Sequence, residues 1–172
     1  MRERRCRRAL LRRATRGVGL GVALGLSLGF GLAGCEREPP SPPPRAQEVF
    51  HLNGYEQDFG YSQAVLIDKT LYVSGTLPVD SAGRLVAPAD MAGQMRAAYT
   101  NIRNTLAAHH AGFDNVVKET VYTTDIDAFV KASDLRLEYY DKERLPTVSW
   151  VEVKRLLDPQ FLVEIEVVAE LP

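Results

Sequence analysis

Glu164 and Glu166 stand two residues apart in VEIEVVAE, a run that alternates apolar and polar residues and so sets both carboxylates on one face of a β-strand. A neighbouring carboxylate, or burial, lifts a glutamate pKa toward neutrality, which is what a general acid or base needs; the same pair on a wet sheet would be two solvated glutamates. Tyr61 could hydrogen-bond a ligand or only pack its ring, and Trp150, the only tryptophan, could stack on a ligand or plug an interface between copies. Asp125 and Asp127 read as a helix cap rather than an acid/base dyad. His109 and His110 close a helix and His51 is isolated, so with no third ligand at helical spacing no metal site is expected. Both cysteines, Cys6 and Cys35, lie in the N-terminal segment, which leaves no thiol in the remainder for a disulfide, a nucleophile or a metal.

The elements that must carry these groups are legible from period and punctuation. In residues 145–170, Ser149, Val151 and Val153 alternate on one run and Val163, Ile165, Val167 and Ala169 on the next, with Leu157-Asp158-Pro159 between them. The pattern predicts a half-buried β-hairpin whose other face carries Val148, Trp150 and Glu152 beside Glu164 and Glu166. Upstream, strands are expected at 48–53, 62–68 and 71–74, then a loop punctuated by Gly75, Pro78, Gly83 and Pro88. A helix capped by Asp90 and ended by Gly112 follows, with apolar positions 91, 95, 98, 99, 102 and 106. Another strand, 116–123, precedes a second helix with a stripe of Phe129, Ala132, Leu135 and Tyr139, closed by Glu143 and Pro146. Two helices cannot cover both faces of a six-stranded sheet, so one face is expected to be left open and buried by other copies of the chain.

The 172 residues, 45% of them apolar, suffice for one domain with a real core, and the net charge of −1 conceals two unlike ends. Eight of the 21 Lys and Arg and one of the 22 Asp and Glu precede residue 36, leaving 13 positive and 21 negative groups behind them, net −8. That field repels a phosphate backbone, and no basic cluster longer than Lys154-Arg155 offsets it, so nucleic acid is not an expected partner. Residues 1–34 read as a signal peptide, a basic start followed by an uncharged apolar stretch with seven glycines. It ends in Leu32-Ala33-Gly34-Cys35, which resembles the lipobox of bacterial lipoproteins, with Cys35 the acylated residue; a retained anchor and an ordinary cleaved signal are the other readings. Arg7-Arg8 also looks like a twin-arginine signal, and the export route stays open. Residues 35–48, with five prolines from 36 to 48, are expected to form a tether, and 49–172 the folded domain. The implied location is a bacterial cell envelope, lipid-anchored and facing the periplasm. Glu36 after the cysteine favours the outer membrane, and the inner membrane remains the alternative.

The stretches YSQAV (61–65), LYVSGTLPVD (71–80), QMRAAYTNIRNTLAAHHAG (94–112), VVKETVYTTDIDAF (116–129), LPTVSWVEVKRL and VEIEVVA resemble the RidA/YjgF family of reactive-intermediate deaminases, also described as endoribonuclease L-PSP-like. The resemblance implies an α+β, chorismate-mutase-like fold with a six-stranded mixed sheet and two helices on one face. It also implies a homotrimer with small-molecule clefts between subunits, and hydrolysis of enamines and imines such as 2-aminoacrylate to a carbonyl compound and ammonia without a cofactor. Carried over by residue, Glu166 matches the family's catalytic glutamate, with Glu164 as strand neighbour, and Tyr61, Gly75 and Ser133 match positions that line the cleft. Val148 stands where a Pro-Ala-Arg motif puts the arginine that grips the substrate carboxylate, and Trp150 follows it. Valine supplies none of that charge-assisted clamp, and Glu152, Glu164 and Glu166 on one face would repel an anion further. Arg136 and Arg155 are the candidates to replace the arginine from another direction. The expectation is therefore an exported, trimeric lipoprotein hydrolysing a non-carboxylate enamine or imine, with a non-catalytic small-molecule-binding or holdase-like trimer as the alternative.

Overall fold

Leu71 and Val73 on one strand, Val121 on a second and Ile165 and Val167 on a third are almost fully buried, while the residues between them point the other way. That one-sided burial organises residues 45–172, which the computed structural model describes. The strands are β1 (Gln47–Phe50), β2 (Ala64–Ile67), β3 (Thr70–Thr76), β4 (Val116–Thr123), β5 (Thr147–Glu152) and β6 (Val163–Glu170). The helices are α1 (Tyr55–Asp58), α2 (Met91–Ala108) and α3 (Ile126–Ala132), the last running into a 3-10 segment at Ser133–Glu138. One mixed sheet of six strands results, in the order β1-β2-β3-β6-β4-β5. Helix α2 lays Met95, Ala98, Tyr99, Ile102 and Leu106 on its buried face, all at 0% exposure, and burying each large side chain of this kind is worth about 1.5–3 kcal/mol. Helix α3 packs Phe129 edge-on against Trp150 of β5, with ring centroids 5.1 Å apart. Asp125 is the cap of α3, its Oδ1 accepting from the Ala128 amide at 2.9 Å.

Several local expectations are corrected. The segment 145–170 is not a hairpin: β4 lies between β5 and β6, pairing parallel with the first and antiparallel with the second. Parallel strands need a crossover, and α3 with its 3-10 extension supplies it. Strand β1 begins at Gln47, so Gln47 and Glu48 of the expected tether pair with Ile67 and Leu66. Helix α1 was not foreseen. The second helix tightens to 3-10 geometry after Ala132 instead of continuing as one α-helix to Tyr139. The exit of α2 turns on His110 in the left-handed region (φ 57°), and Gly112 takes no part in that turn. The signal peptide, Cys35 and the first ten residues of the tether lie outside the described residues.

Candidate functional site

Strand register decides which groups can meet. Across β5-β4-β6, Trp150 is level with Val121 and Ile165, Val148 with Glu119 and Val167, and Glu152 with Thr123 and Val163. Directly opposed residues share a face, so Val148, Trp150 and Glu152 lie on the helix-covered side. The opposite face carries Ser149 level with Thr120 and Glu166, and Val151 level with Tyr122 and Glu164. The expected grouping of Val148, Trp150 and Glu152 with Glu164 and Glu166 is therefore overturned, because inserting β4 shifts the phase of β5 relative to β6. Glu152 has other work, accepting the Ile126 amide at 3.0 Å at the start of α3. Ser133 also lies with α3 and donates to the Val130 carbonyl at 2.7 Å, and neither Ser133, Val148 nor Trp150 lines a cavity described below.

On the open face Glu164, Gly75 and Tyr61 come together. They line a chamber of about 590 Å³ whose other walls include Tyr55, Phe59 and Phe161. A second cleft of about 540 Å³ is lined by Tyr122, Glu166, Arg155 and, again, Gly75, Leu157 and Glu164. Glu164 thus stands at the wall common to an aromatic chamber and a polar cleft. Its carboxylate lies against the backbone of β3 where the pairing with β6 slips between Val73 and Thr76. A Cβ on residue 75 would be 2.8 Å from Glu164 Cδ and closer still to Oε1. A side chain fits there only if the Glu164 carboxylate moves aside, so glycine is what lets the carboxylate take this position. Gly75→Ala is accordingly expected to drive the carboxylate out of the chamber and lower turnover of any substrate using it by about tenfold or more. A crystal structure of the variant showing the Glu164 rotamer unmoved would refute this account.

Electrostatics separate the two glutamates. Burial first, and the charge of Glu166 second, hold the Glu164 carboxyl above its ordinary pKa. Glu166 instead accepts a hydrogen bond from the Tyr122 phenol at 3.3 Å. Burial, then the neighbouring Tyr55, pushes the Tyr61 phenol up to about 12, so it remains a neutral donor. Arg155 lines the polar cleft on the Glu166 side, whereas Arg136 is committed to a buried ion pair with Glu119 on the helix side, Nε to Oε1 2.7 Å. Of the two arginines, only Arg155 borders the site.

Sequence reading missed Tyr55, Phe59, Phe161 and Tyr122. Tyr55 and Phe59 are four apart, a spacing that puts both on one side of a helical turn, but the turn is a single one and gives no periodic signal. Phe161 sits in an irregular connection, where no pattern applies.

Residues 55–171 match the family model described as endoribonuclease L-PSP. A 2-iminobutanoate/2-iminopropanoate deaminase of Bos taurus is 42% identical over 80 residues, 46% of this chain and 58% of that protein, so the chain matches under two thirds of the bovine protein's length. A RutC family protein of Pyrococcus horikoshii is 33% identical over 72% of this chain and 97% of its own length. Among solved structures, a member of the conserved Rid protein family from Yersinia pestis superposes with a TM-score of 0.67 at 33% identity, over 73% of this chain and 100% of that one.

Proposed function

We propose that this chain, which belongs to the endoribonuclease L-PSP family, the RidA/YjgF group, hydrolyses an enamine or imine lacking an α-carboxylate, releasing a carbonyl compound and ammonia. The observation that carries the reading is the placement of Glu164, a partly buried carboxyl of raised pKa on the wall shared by an apolar chamber and a polar cleft. The relatives named for imine hydrolysis supply the reaction class. The ribonuclease activity in the family's name fits poorly, since Glu164 and Glu166 line the site and residues 36–172 carry net −8.

Protonated Glu164 donates to the enamine carbon, giving an iminium ion with the new carboxylate beside it. Glu166, two residues along the strand and about 7 Å away by Cα spacing, takes a proton as water adds to the iminium carbon. Returned to nitrogen, that proton lets the C–N bond break with its electron pair leaving on ammonia. That departure leaves an O-protonated carbonyl, whose proton passes to the Glu164 carboxylate, so that the carbonyl compound is released and both carboxyls return to their starting states. Tyr122 donates to Glu166 and holds that carboxylate in place, while Tyr61 borders the chamber beside Glu164.

The substrate half of the proposal rests on the chamber lining, which among the described residues holds no Lys or Arg to clamp an α-carboxylate, and on Val148, which supplies none either. Ammonia release from freshly generated 2-aminoacrylate, compared with an enamine of equal size without a carboxylate, tests it. Faster turnover of the uncharged enamine is expected; equal or faster turnover of 2-aminoacrylate rejects that half. Ammonia from neither compound rejects hydrolysis and leaves the alternative, a non-catalytic small-molecule-binding trimer.

The cellular setting belongs to the proposal as well. Acylation at Cys35 would hold a trimer of these domains at the envelope. Cys35→Ser is expected to move the protein from the membrane to the soluble fraction, and light scattering is expected to give three chain masses; a membrane-bound variant or a stable monomer counts against each respectively.

A further inference from the structure

The chamber beside Glu164 is lined by four aromatic residues, Tyr55, Phe59, Tyr61 and Phe161, together with aliphatic ones, and among the described residues that line it Glu164 is the one acidic or basic side chain. We infer that this chamber recognises an organic cation: an ammonium or iminium nitrogen borne on an apolar group of about benzyl size. The inference rests on the hydrolase reading only in sharing its site, and it names the class of ligand.

Three features support it. Aromatic faces carry negative quadrupole density and attract a cation within about 6 Å of the ring, most strongly where water is displaced. Glu164 at the chamber wall supplies the counter-charge by giving up its proton when a cation enters, and no basic side chain among the described residues lines the chamber to hold an anion, since Arg155 borders the other cleft. At about 590 Å³ the chamber is also far larger than a three-carbon imine needs, and it falls in the range of about 300–1,000 Å³ that takes ligands with a sizeable apolar body. Phe59 and Leu157 at its rim are 69% and 65% exposed, apolar surface that such a body would cover. The iminium formed by protonating an enamine is itself a cation of this class, so the site would hold the charged intermediate better than the neutral carbonyl product.

Calorimetric titration of the full chain with phenethylammonium, phenethyl alcohol and phenylacetate tests the inference without requiring turnover. Phenethylammonium is expected to bind at least about tenfold tighter than phenylacetate, and Glu164→Gln to erase about tenfold of that binding while leaving phenethyl alcohol within about twofold. Phe59→Ala is expected to weaken the ammonium and the alcohol alike. Equal binding of ammonium and phenylacetate, an unchanged preference in Glu164→Gln, or no saturable binding by the ammonium overturns it. Binding of the ammonium without ammonia release from any enamine sinks only the hydrolase reading; ammonia release without a preference for the ammonium sinks only the cation inference.

Discussion

Glu164→Gln is expected to lower kcat/KM for ammonia release by at least about 100-fold, since a positioned general acid or base contributes about 10²–10⁴ and an amide cannot exchange the proton. Glutamine keeps the shape, so the carboxylate's niche against Gly75 stays filled and the loss reports chemistry, not collapse. Stability should move in the opposite direction. Burial, then Glu166, holds the Glu164 carboxyl above its ordinary value, so between the unfolded and folded pKa values the folded chain binds more protons than the unfolded one. Stability contributed by this group is complete below the unfolded pKa and is lost as pH rises through the folded one. Glu164→Gln is free of that loss, so it should be more stable than the parent at neutral pH, with the difference vanishing below the carboxylate range at about pH 4. Urea unfolding at the two pH values, beside steady-state ammonia assays, reads both effects. Full activity in Glu164→Gln together with inactivity in Glu166→Gln would assign the proton donor to Glu166 instead.

Removing one partner of the buried pair Glu119–Arg136 should cost about 3–5 kcal/mol, because the charge left behind has no water to return to. Glu119 is at 0% exposure and Arg136 at 7%, and the pair is built into the helix-side core. Arg136 Nε donates to Glu119 Oε1 at 2.7 Å and the Tyr99 phenol to Oε2 at 3.1 Å, with the guanidinium 5.4 Å from the centroid of the Tyr140 ring and 5.5 Å from that of Trp150. Arg136→Met and Glu119→Gln are the tests, each expected to lower the urea midpoint sharply. The double replacement Glu119→Leu with Arg136→Met should recover most of the loss, since Arg136 Nη2 is buried without a partner among the described residues and the ion pair is therefore incompletely compensated. A single Arg136→Met costing under about 1 kcal/mol would show that the pair contributes little. The pair also bears on Val148, which lies opposite Glu119 in register. An arginine placed at 148 would meet a carboxylate already engaged, so Val148→Arg alone is a poor means of restoring a clamp.

Much of the molecule is written in local pattern. Alternation located the central strands, the 3.6-residue period located α2 and its buried stripe, and the pair Asp125 and Asp127 announced the start of α3, where the structure gives the cap to Asp125. The same alternation put Glu164 and Glu166 on one face, which the burial of Val163, Ile165 and Val167 on the other bears out. These features are local: a residue's side of its own strand or helix depends only on backbone geometry within a few positions.

What the tertiary structure decided is the phase between segments far apart in sequence. Assuming that β5 and β6 were neighbours put Val148 and Trp150 beside the glutamates; β4 between them put those residues on the helix side and brought Val151, Ser149 and Tyr122 to the open face. One residue of register turns a whole strand over, and no property of a single strand records its partner's phase. The approach of Glu164 to Gly75 across the slip between β3 and β6, and the gathering of Tyr55 and Phe59 from one helical turn and Phe161 from an irregular connection around them, have the same character. The sequence by itself determined the carboxylates, helix α2 with its buried stripe, the start of α3 and the absence of an arginine at 148. Only long-range strand pairing could determine that Glu164 would front an aromatic chamber, because hydrogen-bond register is settled between strands and not within one.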